Sequence, residues 1–350
     1  MDFARVFKID KSGVKVRRGL EVLVALVVPL VVMGAIGLDR YWLSFAFAML
    51  FTALSDLGGN YPRRLEAMAA VGILGGVATT LGFVLGGGPW GLVVAVSFVL
   101  VLLAGLSLKL GKHGFVSGRL LVAWFLVAIS ESAGAHSHPA SSGWWQQSLA
   151  WWSGAFIWIA LTAIFWLARG RKAQAPNFPE IPTDTTQMRL SRPLIMFAIV
   201  QALAVSISVA IAFGLHLPNA DWMPIATLVA MKVSLDESVL AAEQRVAGTV
   251  VGAALAAVVL LTVHGKHALE VLIVVLAGIA ASIRGGAYAF YCAAIAGLVL
   301  IAIDEAHPTN YSAEGRRILF TLAGVVVGIA VHGVAILISK YANRPKSVPA

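Results

Sequence analysis

The 350 residues are 59% apolar and only 12% charged, with a mean hydropathy of +0.86. An ordinary soluble domain carries about 25% charged residues, so this chain lacks the polar side chains to cover a water-facing surface. The excess of 26 Lys and Arg over 17 Asp and Glu, a net +9, reports membrane orientation on such a composition, and no nucleic-acid partner is expected. The single Cys292 excludes an internal disulfide and any cysteine-based metal centre.

A membrane-crossing helix needs about 20 mostly apolar residues. Apolar runs lie near 19–38, 41–55, 66–86, 90–108, 116–133 and 145–168, and again near 193–215, 222–235, 246–264, 268–283, 286–303 and 317–339. The stretch from Ala67 to Leu108 carries no charge and is split by Gly86-Gly87-Gly88-Pro89, a tight turn between two spans. Period-2 alternation is absent, which argues against a β-barrel. The expectation is an all-α polytopic membrane protein of about twelve transmembrane helices. Residues 1–18 form a cytoplasmic segment, 169–192 a Pro-rich cytoplasmic linker and 341–350 a cytoplasmic tail. With the N-terminus inside, 22 of the 26 basic residues fall on cytoplasmic segments, and only Arg40, Lys266, Arg316 and Arg317 fall outside. That is the split of the positive-inside rule for both termini in the cytoplasm. The first run is longer than a signal-peptide core and reads as a retained anchor.

The two sets of runs correspond. Trp42 and Trp222 each open a second span, and at the same offset Thr52 faces Lys232 and Asp56 faces Asp236. With a small shift, Gly72-xxx-Gly76 matches Gly248-xxx-Gly252, Lys112-His113-Gly114-Phe115 resembles Arg284-Gly285-Gly286-Ala287-Tyr288, and Glu131 meets Asp304. Six-helix repeats over 19–168 and 193–340 are therefore expected. An even number of spans makes them parallel, related by an axis along the membrane normal.

Short apolar segments at matching positions of two halves point to a transport site. From Trp42 to Leu54, and from Trp222 to Leu235, the apolar stretch covers only about 20 Å at 1.5 Å per residue, against a hydrocarbon core of roughly 30 Å. Lys232 lies within the second of these. It reads either as a charge at functional depth or as a snorkelling residue paired with Asp236. Arg245, Gly248, Thr249 and Gly252 share one helical face. The stripe reads as small-residue helix packing or as a groove admitting an anion to Arg245 and Thr249. Gly324 and Gly328 form a similar packing stripe in the last span.

These residues are similar to the fusaric acid resistance protein-like superfamily. Trp222 opening a span, the Arg-x-x-Gly-Thr-x-x-Gly run at 245–252, and Gly315-Arg316-Arg317 followed by Thr321, Gly324 and Gly328 carry the resemblance, well over 193–340 and more weakly over 19–168. It implies six-helix units that export or conduct organic anions, often aromatic carboxylates, with plant aluminium-activated malate transporters as distant relatives. Many members carry a sizeable cytoplasmic domain near these units.

Glu131 and Asp304, near the outer ends of their spans, are the candidates for proton coupling, against a reading as solvated helix ends. Glu21 reads as an interfacial ion pair with Arg17 and Arg18. His136 and His138 read as a solvated loop, so no metal is expected. Trp144, Trp145 and Trp166 fit interfacial belts. Trp151 and Trp158, one heptad apart, read first as lipid-facing packing and second as an aromatic wall. No metalloprotease, nucleophile-elbow or P-loop motif is present. The expectation is a non-enzymatic, cofactor-free secondary exporter of the bacterial inner membrane. It takes a small organic anion in a site of Lys232, Arg245, Thr249, Trp222, Trp42, Thr52, Asp236 and Asp56. Its partners would be membrane lipid, further copies of itself and a periplasmic adaptor. A passive channel and a non-transporting accessory subunit are the alternatives.

Overall fold

A computed structural model describes residues 6–135, 143–171, 190–217, 222–231, 235–263, 265–306 and 312–342, all of them in helices, turns and short connections. The helices follow the apolar runs: α1 Val16–Ala35, α2 Trp42–Ser55, α3 Tyr61–Leu85, α4 Trp90–Leu106, α5 Gly111–Ala135 and α6 Trp144–Ala168. They continue with α7 Arg192–Gly214, α8 Trp222–Ala230, α9 Leu235–Thr262, α10 Lys266–Ile283, α11 Tyr288–Ala306 and α12 Ser312–Ala342. Among the described residues, eight helices are long and apolar enough to cross a membrane: α1, α3–α7, α9 and α12. Of the other four, α2 and α8 run for only 14 and 9 residues, and α10 and α11 for 18 and 19. Exposed Val24, Val28, Val31, Phe156, Val258, Leu261 and Val326 leave an apolar outer surface, as a multi-pass membrane protein requires.

Local chemistry sets the boundaries. Gly37 takes φ 71° after α1, and the amide of Leu38 donates to Met33 O at 2.9 Å, so a left-handed residue closes the helix. The turn expected at Gly86–Pro89 is present between α3 and α4. Gly87 there has φ 77°, a conformation that costs glycine little.

Helix packing follows one plan twice. In the first half α3 packs on α5 and α6, α2 on α6, and α4 on α5; in the second α9 packs on α11 and α12, α8 on α12, and α10 on α11. The halves are interlocked, since α7 packs on α4 while α1 packs on α10. Small residues allow these approaches: Gly105 meets Ala198 at the first contact, and Gly278 meets Gly19 and Leu23 at the second.

The core is aromatic in the first half. Trp124 stacks on Trp151 with ring centroids 4.7 Å apart, and Phe47 lies 5.2 Å from Trp124. The indole of Trp124 donates to Thr79 Oγ1 at 2.7 Å and that of Trp151 to Gly72 O at 3.1 Å. This overturns the lipid-facing reading of Trp151 and Trp158, which are 0% and 3% exposed. Trp152, one residue on, is the exposed one, because successive helical residues lie about 100° apart around the axis.

The glycines pack helices, though not on equivalent neighbours. Gly72 faces Ala155 and Gly76 faces Trp152, both on α6; Gly248 meets Ala289 and Cys292, and Gly252 meets Ala293 and Ala296, all on α11. The two motifs that match in sequence thus lie on different faces of α3 and α9. Gly324 meets Met223 and Ala226 on α8, and Gly328 is in ordinary contact with Thr227 and Met231.

Candidate anion site at the ends of two short helices

Both short second helices end inside the protein, where their last carbonyls have no water to turn to. At the end of α2, Arg18 from α1 donates through Nη2 to Ala53 O at 2.5 Å. Arg284, following α10, donates to Leu54 O at 2.9 Å. Directly after the helix, Asp56 is fully buried and grips Arg64 of α3 through two bonds, from Nε at 2.7 Å and Nη2 at 2.8 Å. Arg18 stands further off, 3.3 Å from Asp56 Oδ2. The amide of Gly58 donates to Asp56 Oδ1 at 3.2 Å, and Gly58 and Gly59, with φ 77° and 96°, turn the chain into α3.

Glu21 is the second carboxylate here. It pairs with Arg17 at 3.1 Å and Arg18 at 3.7 Å, the interfacial pair read from the sequence, and also with Arg169 at 3.8 Å. The Arg18 guanidinium lies 4.9 Å from the ring centre of Trp158, a cation–π contact.

The end of α8 is capped differently. Arg119 of α5 donates from Nη2 to both Leu228 O and Met231 O, the latter at 2.6 Å. Gln201 of α7 adds a longer contact to Leu228 O at 3.4 Å. Within α8 the Thr227 hydroxyl lies 2.7 Å from Ser208 Oγ and donates to Gly324 O at 2.8 Å, fastening the helix to α7 and α12.

A strip of charge connects the two ends. Arg18 is within electrostatic reach of Arg284, Arg284 of Tyr288 and Tyr291, and Tyr288 of Arg245 and Arg119. Tyr288 and Tyr291 stack at 5.9 Å. Five arginines, Arg64, Arg18, Arg284, Arg245 and Arg119, thus succeed one another between the ends of α2 and α8.

The residues expected from the sequence distribute over this strip and beyond it. Asp56 sits within it as a counter-ion. Thr52 is completely buried, and its hydroxyl has no hydrogen-bond partner among the described residues. Arg245 is half-buried on α9, with its Nε likewise unpartnered among the described residues, and Thr249 is buried one turn on. The groove imagined beside these two is filled, since α11 occupies the face of Gly248 and Gly252. Trp222 is buried at the start of α8, and half-buried Trp42 stacks on Phe45 at 6.2 Å. Glu131 is exposed near the end of α5, about 18 Å along the helix from Arg119 at 1.5 Å per residue. Lys232, His136 and His138 lie outside the described residues, as do the side chains of Asp236 and Asp304. Among the described residues no group of His, Cys, Asp and Glu could hold a metal ion.

The match to known families falls on the second half: residues 195–331, from α7 into α12, match the model of the fusaric acid resistance protein-like family. Over that stretch of the second half the chain is similar to that family. No curated protein and no solved structure matches it. The end of α8, Arg245 and the glycine stripe of α9 lie inside the family match, while Arg18, Asp56, Arg64 and Arg119 lie outside it.

Sequence reasoning missed Arg18, Arg64 and Arg119 as candidates because it counted them as topology signals or, for Arg18, as the partner of Glu21; Arg284 could be read beside Lys232 and Arg245 as a charge placed to handle an anion. One local cue existed: Arg64 follows Asp56 across the Gly58-Gly59 turn, a spacing that brings a helix N-terminal cation back onto the preceding carboxylate. Nothing local announced Arg119, which reaches its carbonyls across more than a hundred residues of sequence.

Proposed function

We propose that the protein is a secondary transporter of the bacterial inner membrane that exports small organic anions, aromatic carboxylates among them, with proton coupling. In this reading the chain crosses the membrane twelve times as two parallel six-helix repeats with both termini cytoplasmic, and the short helices lie in the bundle with their ends facing the path. The recurrence of helix pairings between the halves supports the duplication. The observation that carries the functional reading is the line of five buried and half-buried arginines. Asp56 and Glu21 are the carboxylates shown ion-paired to these arginines among the described residues, and a cluster this rich in cations suits a carboxylate in transit. Lys232 and Thr249 supplement Arg245 on the substrate path, Trp222 and Trp42 flank it, and Glu131 with Asp304 exchanges protons at the outer end.

The test is flux in liposomes with an imposed pH gradient. Uphill accumulation of benzoate is the expected result. Flux that only follows the benzoate gradient identifies a channel, and no flux with any anion identifies an accessory subunit. Either outcome overturns the coupled exporter. Replacing Lys232 and Arg245 together by Ala should lower benzoate flux at least tenfold; unchanged flux removes them from the site.

A further inference from the structure

The segment before α1 is not a loose tail. Val6 is fully buried, its carbonyl accepts from Gln244 Nε2 of α9 at 3.3 Å, and Phe7 lies 5.7 Å from Phe290 of α11. The chain then runs across the connection between α10 and α11. There the amide of Asp10 donates to Gly286 O at 2.6 Å and that of Lys15 to Ser282 O at 2.8 Å. Gly13 sits against Gly285 and Gly286 so closely that a side chain on Gly13 would collide with their backbone. Residues 6–15 are therefore a strap from the first half, fastened to the second through its backbone.

The backbone of the strap is engaged inward and its charges are left outside. Lys8, Lys11 and Lys15 are exposed, and none of them is ion-paired among the described residues. Asp10 is the carboxylate in their midst, within electrostatic reach of Lys8 and Lys15. It also accepts from the amide and the hydroxyl of Ser12 at 2.9 and 2.7 Å. Three cations thus gather around one carboxylate, while Arg17, next along, is taken up by Glu21 at 3.1 Å.

Apolar surface occupies the same place. Ile9 is 54% exposed between two of the lysines, and Val16 is 63% exposed directly after the third. Val16, Leu20, Val24 and Val28 then succeed one another on one exposed face of α1, a stripe of about 18 Å at 1.5 Å per residue. An acidic protein or a nucleic acid would neutralise the lysines and offer nothing to Ile9 and Val16. An anionic phospholipid answers both, with a phosphate at the head and acyl chains that continue down α1.

We infer that residues 8–16 are a docking surface for anionic phospholipid of the leaflet that meets the start of α1. The phosphate sits among Lys8, Lys11 and Lys15, and the acyl chains lie along Val16, Leu20 and Val24. The lysines belong to the first half and their backbone is bonded to the second, so a lipid held there also holds the halves together. The inference rests on the chain spanning a membrane and not on what it transports.

Native mass spectrometry of the purified full chain in neutral detergent, titrated with phosphatidylglycerol, tests the surface. The wild type should retain phosphatidylglycerol in preference to phosphatidylcholine, and its unfolding temperature should rise with the first lipid only. Lys8→Gln, Lys11→Gln and Lys15→Gln together should weaken phosphatidylglycerol binding about 100-fold, at about fivefold per cation facing an anionic leaflet, and remove the thermal shift. Arg63→Gln, Lys109→Gln and Arg192→Gln take the same charge from other exposed positions and should leave both readouts unchanged. Gly13→Val, which forces the strap off Gly285 and Gly286, should weaken binding with every lysine in place. Should that variant fail to fold, the lysine variant, altered only at exposed side chains, decides alone. Unaltered affinity in the lysine variant or in folded Gly13→Val overturns the inference, as do equal losses from the two triple variants. Inorganic phosphate binding as tightly as the lipid, or polyglutamate displacing the lipid at equal charge, overturns it too.

Discussion

The ends of α2 and α8 solve one problem with different chemistry. A helix ending at membrane depth leaves carbonyls unsatisfied and a partial negative charge of about half an electron. Both ends receive an arginine from the opposite half, Arg284 onto Leu54 and Arg119 onto Leu228 and Met231. Among the described residues, only the α2 end adds an ion-paired cluster, Arg18–Asp56–Arg64; the described partners at the α8 end are carbonyls and the amide of Gln201. The shared element makes the crossed arginines structural links between halves. The unshared element concentrates charge at the α2 end among the described residues.

Substitutions that break this contrast should rank by how much charge they strand. Asp56→Asn removes the carboxylate that grips Arg64 and leaves Arg18 with Glu21, and losing one partner of a buried pair costs about 3–5 kcal/mol. Thermal unfolding in detergent should show the largest drop there, and Asp56→Asn combined with Arg64→Gln should recover part of it. Arg119→Ala uncaps two carbonyls at the α8 end, worth about 1–3 kcal/mol for an unsatisfied buried group. A loss as large as that of Asp56→Asn would mean that the two ends are energetically alike. Gln201→Leu removes only the long contact to Leu228 and should cost about 0.5–1.5 kcal/mol at most. Glu21→Gln, at a partly exposed pair, should shift stability by less than about 1 kcal/mol. A larger loss there would extend the buried cluster of the α2 end out to Arg169.

Much of the plan was legible in one dimension. Hydropathy located each helix, and Gly37 and Gly86–Pro89 marked turns through backbone chemistry that acts over a few residues. The shortness of the second helices was also readable, since it depends only on where apolar residues stop. Depth and facing were not. Trp151 and Trp152 are alike in sequence terms, yet one is buried against Trp124 and the other is exposed, because rotation about α6 is set by its packing on α2 and α3. Arg18 and Arg64 carried the same topological signal as exposed Arg17 and Arg63 for the same reason.

By itself, then, the sequence determined a multi-pass helical membrane protein, the family its second half is similar to and the places where its helices break. These follow from the cost of exposing backbone and charge to lipid, which is paid residue by residue. Only the tertiary structure decided which arginines converge, that each half caps the other's short helix, and that residues 6–15 run across the connection between α10 and α11. Those contacts join residues from 35 to more than 200 positions apart, and a convergence over such separations is set by how the halves interlock, which no local pattern encodes.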